Sequence, residues 1–316
     1  MSDVLCLRPL EDFHNVGVTP PAGLNIQVVT PDDPGLAGAM KTAEALVIPA
    51  VGPALDASLF EGSGIRLVQV TGAGVDRFDC AALAKLGIMV ANVPGASAAA
   101  VAEYVVGAAS ALLRFMPENT AAILSGDYAA VRSRTIGRGL NQLGGLCVGI
   151  VGYGVIGQAT AAHCTMLGAK VIFFDPMVDG DGKRDLPDLL ATADVVSLHM
   201  PLIDSTRGLI GSTEFGLMKP GAILVNAARG GIVDEAALAA ALENAQIGGA
   251  AVDVFSTEPP EADNPLLNVS DAARSRLILT PHIAGVTRQA WAVLFSEAWD
   301  NVARLLITDE PVHHQI

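Results

Sequence analysis

Apolar and polar positions come in regular blocks along the second half of this chain. Six apolar runs follow one another: Cys147–Val151, Val171–Phe174, Val195–Leu198, Ala222–Val225, Gly249–Val254 and Leu277–Thr280. Each has the length of a buried strand, and segments with helical periodicity separate several of them. That alternation predicts parallel strands joined by right-handed crossovers. Parallel strands place all their C-terminal ends on one edge, where ligands bind at the switch point. The first run ends in Gly152-Tyr153-Gly154-Val155-Ile156-Gly157 and the second at Asp175. The fourth ends shortly before Arg229, the fifth at Asp253 with Glu258 just beyond, and the sixth just before His282.

The N-terminal part also reads as α/β. Val4–Leu7, Ala45–Ile48 and Arg66–Val70 are predicted strands, and Leu55–Phe60 and Cys80–Leu86 short helices, which together make a smaller open sheet. The third strand runs into Thr71-Gly72-Ala73-Gly74-Val75-Asp76, a second glycine-rich turn whose backbone N–H groups could form an anion nest or simply a tight turn. Ala96–Met116 is predicted to be one long helix, because Val101, Tyr104, Val105, Ala108 and Leu112 recur at helical spacing. Pro117–Gly126 continues as a second helix, Thr135–Gly145 reads as a loop, and Gln289–Leu306 is the last long helix, placed to return to the first domain.

Composition narrows the function classes. The chain has 316 residues, enough for about two domains at roughly 100–200 residues each. Its net charge of −14 offers no basic stripe for a polyanion, so nucleic acid is not an expected partner. Cys6, Cys80, Cys147 and Cys164 show neither C-x-x-C pairing nor metal-like spacing, so no metal is expected and the thiols read as reduced, in a cytoplasmic protein. Asp3, Arg8, Glu11 and Asp12 exclude a signal-peptide core at the N-terminus, and the glycine-rich Gly139–Ala162 stretch is a poor membrane span.

A bare G-x-G-x-x-G is weak evidence, but here a strand precedes the turn and a helix, Val155–Leu167, follows it. Gly152 makes the tight turn, Gly154 admits a pyrophosphate to the backbone, and Gly157 lets the helix pack close to the sheet. The diphosphate then sits at the positive helix end. Asp175 closes the next strand at about 20 residues further on, where an acid is expected to hold ribose hydroxyls. Its carboxylate repels a 2′-phosphate, which favours NAD over NADP, although Lys183 and Arg184 follow in the next loop. Asp179-Gly180-Asp181-Gly182 is similar to a calcium loop but lacks its later ligands.

With the strand order 3-2-1-4-5-6, Asp175 falls on the adenine side and Arg229, Asp253, Glu258 and His282 on the nicotinamide side. Reduction of a 2-oxo acid needs a cation for the carboxylate and carbonyl, and a proton donor with a partner that keeps it protonated. Arg229 supplies a rigid fork, His282 a proton, and Glu258 a carboxylate that favours the imidazolium. Taken singly, each of the three could be an ordinary loop residue; the strength lies in three compatible groups on one rim. His199 follows the third strand, on the adenine side in this order, which points to a structural role.

These residues resemble the D-isomer-specific 2-hydroxyacid dehydrogenase family over nearly the whole chain. The matching segments are 70–76, Asn92-Val93-Pro94-Gly95, Val101-Ala102-Glu103, Gly152–Gly157, Leu198-His199-Met200-Pro201-Leu202, Asn226-Ala227-Ala228-Arg229-Gly230, Asp253-Val254-Phe255 with Glu258-Pro259, and 280–285. The resemblance implies an α/β fold of two doubly wound parallel-sheet domains. A Rossmann NAD-binding domain, residues 98–287, would be inserted in a smaller flavodoxin-like substrate domain, residues 1–97 plus 288–316. It implies that Arg229 binds substrate, that Glu258 and His282 form the acid–base pair, and that Ala73, Gly74 and Val75 hold the substrate carboxylate with Arg229 and His282. Implied cofactor residues are Gly152, Gly154, Val155, Ile156, Gly157, Asp175, His199, Pro201, Thr206, Ala227, Ala228, Arg229, Asp253, His282, Ala284 and Gly285, with Asp253 on the nicotinamide amide. A homodimer built on helix Ala96–Met116 and the following arm is also implied.

Three departures shape the expected substrate. Phosphoglycerate-type members carry a basic residue after the second strand, where this chain has Pro49-Ala50-Val51-Gly52. Formate-type relatives have glutamine in place of Glu258. The aromatic residue often found ahead of the glycine-loop strand is missing from Ala129–Gly145. The expectation is therefore an NAD-dependent oxidoreductase acting on a small non-phosphorylated 2-oxo acid or D-2-hydroxy acid, of the glyoxylate or hydroxypyruvate kind. The alternatives are phosphoglycerate dehydrogenase-type activity and a corepressor-like NAD(H)-sensing protein, which shares the same triad.

Overall fold

The computed structural model describes residues Asp3–Ile316. The chain divides into two compact units, one of residues up to Ser97 together with Val286–Ile316, the other Ala98–Gly285. In the first unit β1 (Val4–Cys6), β2 (Ile26–Val28), β3 (Ala45–Pro49), β4 (Leu67–Thr71) and β5 (Met89–Ala91) pair in parallel in the order β2-β1-β3-β4-β5. That is the doubly wound flavodoxin-type order. Helices α1 (Leu10–His14), α2 (Leu36–Met40) and α3 (Cys80–Lys85) connect the strands, with a 3-10 turn at Ala57–Phe60.

The central strands are apolar throughout because both faces are covered, and successive side chains go to opposite faces. Val4, Cys6, Ala45 and Val47 meet Phe13 and the C-terminal helix Arg288–Ala303, which brings Phe295 and Trp299. Leu5, Leu46, Ile48, Val68 and Val70 meet Leu36, Met40, Phe60 and Leu83 on the other side. One buried polar pair ties that helix to the sheet: Asn301 Nδ2 donates to Gln69 Oε1 at 2.9 Å and to the His313 carbonyl at 3.0 Å. The edge strands β2 and β5 and helices α1 and α2 were not among the predicted elements. Each spans only three to five residues, too short for a hydrophobic period to show.

The second unit contains α4 (Ala98–Leu113), α5 (Met116–Leu124), α6 (Tyr128–Arg138), β6 (Cys147–Val151), α7 (Val155–Met166), β7 (Lys170–Phe174), α8 (Leu186–Thr192) and β8 (Val195–Leu198). It continues with α9 (Ser212–Leu217), β9 (Ile223–Asn226), α10 (Glu235–Glu243), β10 (Gly249–Val252), α11 (Asp271–Arg274) and β11 (Leu277–Leu279). The six strands are all parallel, in the order β11-β10-β9-β8-β6-β7. Val148, Ile150, Val225 and Ala251 pack under α4 and α7, whereas Val151, Val196, Leu198 and Leu224 pack under α8, α9 and α10.

This strand order corrects the expected 3-2-1-4-5-6. The third long strand, β8, pairs with β6 on the side opposite β7. The place beside β7 is held only by a single parallel bridge, Phe173 to Lys183. The glycine-rich 179–184 segment has no apolar run with which to build a strand there. His199 therefore lies on the same side of β6 as β9, β10 and β11, not beside Asp175.

Two local expectations also change. The predicted single helix Ala96–Met116 ends at Leu113, because Phe115 takes a left-handed conformation (φ 54°) that breaks the helical ladder before α5. The predicted loop at Thr135–Gly145 begins only after Arg138. There α6 persists because buried Val131 and Thr135 face inward, with Thr135 Oγ1 donating to Asn119 Oδ1 at 2.7 Å.

Phe295 is fully buried, with its ring 4.5 Å from that of Phe13 and 5.2 Å from that of Trp291. Phe295→Ala is expected to destabilise the first unit by about 3–5 kcal/mol, the usual cost of an aromatic cavity. Urea unfolding followed by tryptophan fluorescence, which reports Trp291 and Trp299, checks this as a lowered midpoint.

Candidate active site

All six strands of the second unit point the same way, so their C-terminal ends present Gly152, Asp175, His199, Arg229, Asp253 and the 280–285 turn along one edge. The geometry at each strand end follows from local constraints. Gly152 has φ +92°, and a Cβ there would stand 2.7 Å from the His199 carbonyl carbon, so only glycine turns the chain at this point. A Cβ on Gly157 would drive into the Gly152 carbonyl oxygen, which keeps α7 close against β6. At Gly154 a Cβ would meet nothing within 4 Å. Gly154 is the N-cap of α7 and offers no side-chain hydrogen bond, and Val155 beside it is exposed. A clear space before an uncapped helix N-terminus is what a diphosphate needs.

Asp175 follows β7 and holds this turn. Its Oδ2 accepts the Tyr153 N–H at 2.7 Å and its Oδ1 accepts the Met177 N–H at 2.8 Å. Tyr153 stacks on Phe173 with ring centroids 3.9 Å apart, which fixes the turn laterally. The two cations that follow are already engaged: Lys183 Nζ lies 2.7 Å from Asp179, and Arg184 Nε lies 3.2 Å from Asp188.

Past β9, buried Asn226 shapes the loop that carries Ala227, Ala228 and Arg229. Its Oδ1 accepts the Ala228 N–H and its Nδ2 donates to the Arg229 carbonyl, both at 3.2 Å. Arg229 Nη1 donates to the Ala228 carbonyl at 2.8 Å. The next residue, Gly230, lies against the Phe255 carbonyl so closely that a Cβ would overlap it. That approach brings the Arg229 loop and the Glu258 loop together. Glu235, at the start of α10, staples the second loop by accepting from Ser256 N–H, Ser256 Oγ and Asn264 Nδ2.

The central pair is His282 and Glu258, with His282 Nδ1 2.8 Å from Glu258 Oε2. Glu258 Oε1 accepts the Phe255 N–H at 3.0 Å. Burial opposes ionisation of Glu258, but the hydrogen bonds from His282 and Phe255, helped by the His282 and Arg229 charges, outweigh it and hold the carboxyl below its ordinary range. His282 has φ +55° in a turn organised by Asp253. The Asp253 carbonyl accepts the His282 N–H at 2.8 Å. Its carboxylate, 1% exposed, is turned into the 280–284 segment, where Oδ1 accepts the Ile283 N–H and Oδ2 the Ala284 N–H, both at 2.8 Å. Gly285, the next residue, closes the unit.

Two further residues singled out from the sequence, His199 and Thr206, lie in loops at this edge of the second unit. His199 Nε2 is 2.9 Å from Ser197 Oγ, whereas its Nδ1 is buried without a partner. Burial pushes this imidazole down to about 4, so it is neutral at physiological pH. Thr206 Oγ1 donates to the Pro201 carbonyl and accepts the Ile203 N–H at 2.8 Å, which closes the 201–206 loop. In the first unit, Ala73, Gly74 and Val75 form a turn after β4 that Asn92 Nδ2 holds by donating to the Ala73 carbonyl at 2.7 Å. Among the described residues no group of three or more His, Cys, Asp or Glu side chains could hold a metal. Asn226 and Thr280 were quoted only as part of matching segments, and Glu235 not at all; none of the three was given a role from sequence. Each is an ordinary polar residue near a strand or helix end, and only its partners show its use.

Residues 106–284 match the model of the D-isomer-specific 2-hydroxyacid dehydrogenase NAD-binding domain. The chain is 38% identical over 239 residues to a glycerate dehydrogenase of Methylorubrum extorquens, covering 75% of each. It is 39% identical over 250 residues to an (S)-sulfolactate dehydrogenase of Chromohalobacter salexigens, covering 77% of this chain and 78% of that one. A D-3-phosphoglycerate dehydrogenase of Archaeoglobus fulgidus is 36% identical over 244 residues, but the match spans only 44% of its length. Among solved structures, D-lactate dehydrogenase from Aquifex aeolicus, complexed with NAD and lactic acid, superposes with a TM-score of 0.83 at 25% identity, covering 97% of this chain and 96% of that one. The glycine turn, the acid after β7 and the histidine–glutamate pair define a nucleotide-linked oxidoreductase class. Within it, the chain belongs to the D-isomer-specific 2-hydroxyacid dehydrogenase family.

Gly230→Ala should separate the Arg229 and Glu258 loops, because the added methyl has no space against the Phe255 carbonyl. Turnover is expected to fall at least about a hundredfold, the scale set by displacing reacting groups by ~1 Å. Steady-state assays, with circular dichroism to verify folding, check this.

Proposed function

We propose that this protein interconverts a small, non-phosphorylated 2-oxo acid and its D-2-hydroxy acid with NAD(H). The observation that carries the reading is the 2.8 Å hydrogen bond between His282 and Glu258, on the same strand edge as Arg229. The glycine turn 152–157 would hold the diphosphate and Asp175 the ribose hydroxyls. Bound nicotinamide supplies or accepts the hydride. In the reduction, Arg229 binds the substrate carboxylate and polarises the carbonyl, and His282 gives its proton to the alkoxide oxygen as charge develops there. Glu258 holds the imidazole through Nδ1 and fixes its orientation.

Two observations support the finer assignments. Asp175 closes β7 beside the glycine turn, and Lys183 and Arg184 are each paired with an acid, so in this reading a 2′-phosphate would meet repulsion and NAD is the favoured coenzyme. The loop after β3 carries no basic side chain. The cation beneath it, Arg77, is turned inward, donating to the Pro49, Val51 and Pro53 carbonyls. That leaves no free charge for a phosphate on this loop and favours glyoxylate- or hydroxypyruvate-like acids. Initial rates with a panel of glyoxylate, hydroxypyruvate, pyruvate, bulkier 2-oxo acids and a phosphorylated one, each with NADH and NADPH, test the proposal. Absence of turnover with every acid would reject it.

The protein works as a homodimer in this reading. Helix α5 buries none of its residues within the chain, and Met116, Ile123, Leu124, Tyr128 and Ile136 form an exposed apolar set along α5 and α6. A second copy covers them. Leu124→Asp is expected to shift the sedimentation coefficient from dimer to monomer.

His282→Ala should lower turnover at least about a hundredfold. Because Glu258 titrates below its ordinary range, its contribution is present above the ordinary glutamate pKa and is lost as pH falls through the lowered one. Glu258→Gln should therefore remove that acid-side loss from the rate profile while lowering the rate at neutral pH. Initial rates measured from acid to neutral pH for both proteins check the sign.

A further inference from the structure

One carboxylate supports the turn that carries His282, and a tyrosine from a distant helix stands behind it. Thr280 Oγ1 donates to Asp253 Oδ1 at 2.5 Å, and Tyr104 Oη lies 2.7 Å from the same Thr280 oxygen. Thr280 has one hydroxyl proton, and it is committed to a carboxylate oxygen that also accepts the Ile283 N–H. Tyr104 is therefore the donor in its own pair, and the hydrogen bonds run in one direction, from Tyr104 to Thr280 to Asp253. Asp253 is also the acceptor for the histidine turn: its carboxylate receives the Ile283 and Ala284 N–H groups, and its main-chain carbonyl the His282 N–H.

The turn needs such support. His282 is a residue with a Cβ in the left-handed region, a conformation that persists only where the surroundings over-determine it. Its Nδ1 meets Glu258 only while that backbone conformation holds. Tyr104 belongs to α4, whose Val101, Val105 and Ala108 pack on the sheet core, so its hydroxyl is delivered from a rigid element.

We propose that Tyr104 is a positioning residue for the acid–base step, acting through Thr280 and Asp253 to hold the left-handed turn that aims His282 at Glu258. The proposal rests on the reading of His282 as the proton donor, but the positioning is measurable without turnover. Burial pushes the Tyr104 hydroxyl up to about 12, so it remains a donor at every pH where a histidine works. The titratable groups that touch the turn are Asp253, Glu258 and Tyr104 itself.

The test uses the full chain labelled with 15N-histidine. Tyr104→Phe removes one hydroxyl and keeps the ring that packs. Its His282 imidazole signal, assigned by its disappearance in His282→Gln, is expected to shift or broaden relative to the parent protein. Turnover is expected to fall about tenfold, short of the hundredfold that a ~1 Å displacement causes, with NADH affinity by fluorescence titration and the thermal midpoint unchanged. Thr280→Val should reproduce both effects, Thr280→Ser should retain parental behaviour, and Tyr104→Phe combined with Thr280→Val should be no worse than Thr280→Val alone. An unaltered His282 signal in Tyr104→Phe would overturn the proposal. So would additive losses in the double variant, or a fall in turnover matched by a lower thermal midpoint with no change in the signal. If no 2-oxo acid is turned over by the parent, the oxidoreductase reading fails on its own, and the His282 signal alone decides whether Tyr104 positions the turn.

Discussion

Parallel strand pairing is the constraint on which the rest of the second unit depends. Six strands running one way leave six C-terminal ends on a single edge, so residues more than 100 positions apart in sequence share one surface. Parallel pairing in turn requires both faces of the sheet to be covered. The continuously apolar strands, with α4 and α7 on one face and α8, α9 and α10 on the other, meet that requirement. Without that burial neither the glycine turn after β6 nor the histidine turn after β11 would have a fixed base.

The edge is organised by acids that spend their lone pairs on backbone N–H groups. Asp175 holds the glycine turn, Asp253 the histidine turn, and Glu235 the loop that carries Glu258. A carboxylate serves well here because it accepts several hydrogen bonds at once and makes each of them strong. Glu258 differs in having one oxygen on backbone and the other on His282, which leaves it able to respond to the charge of the ring. The site thus consists of one responsive acid–base pair set among acids that are structurally committed.

Close packing of loops does the remaining work. Gly230 against the Phe255 carbonyl and Gly157 against the Gly152 carbonyl are places where a side chain has no room. They bring whole loops together, and the reactive residues follow. In the first unit Arg77 has a comparable role with opposite polarity, since its guanidinium gathers three carbonyls of the loop after β3. Its charge is used to build the loop.

Much of this was legible in the chain itself. Cys147–Val151 and Val195–Leu198 were read with the bounds the structure has, because short apolar runs flanked by glycine or polar residues have few other solutions. Asp175, Arg229, Glu258 and His282 could be singled out because each stands just past such a run. The edge strands and the five-residue helices escaped, being too short for a period to appear. By itself the sequence determined most of the longer strands and helices, the parallel class of the second sheet and the residues at its strand ends, since these follow from local periodicity and turn chemistry, whereas the parallel class of the first sheet came from the family resemblance. Tertiary structure alone decided that β8 lies beside β6 and carries His199 away from Asp175, and that Tyr104 reaches Thr280 across 176 positions. Strand neighbours and long-range hydrogen bonds depend on which surfaces are buried together, and no local pattern records that.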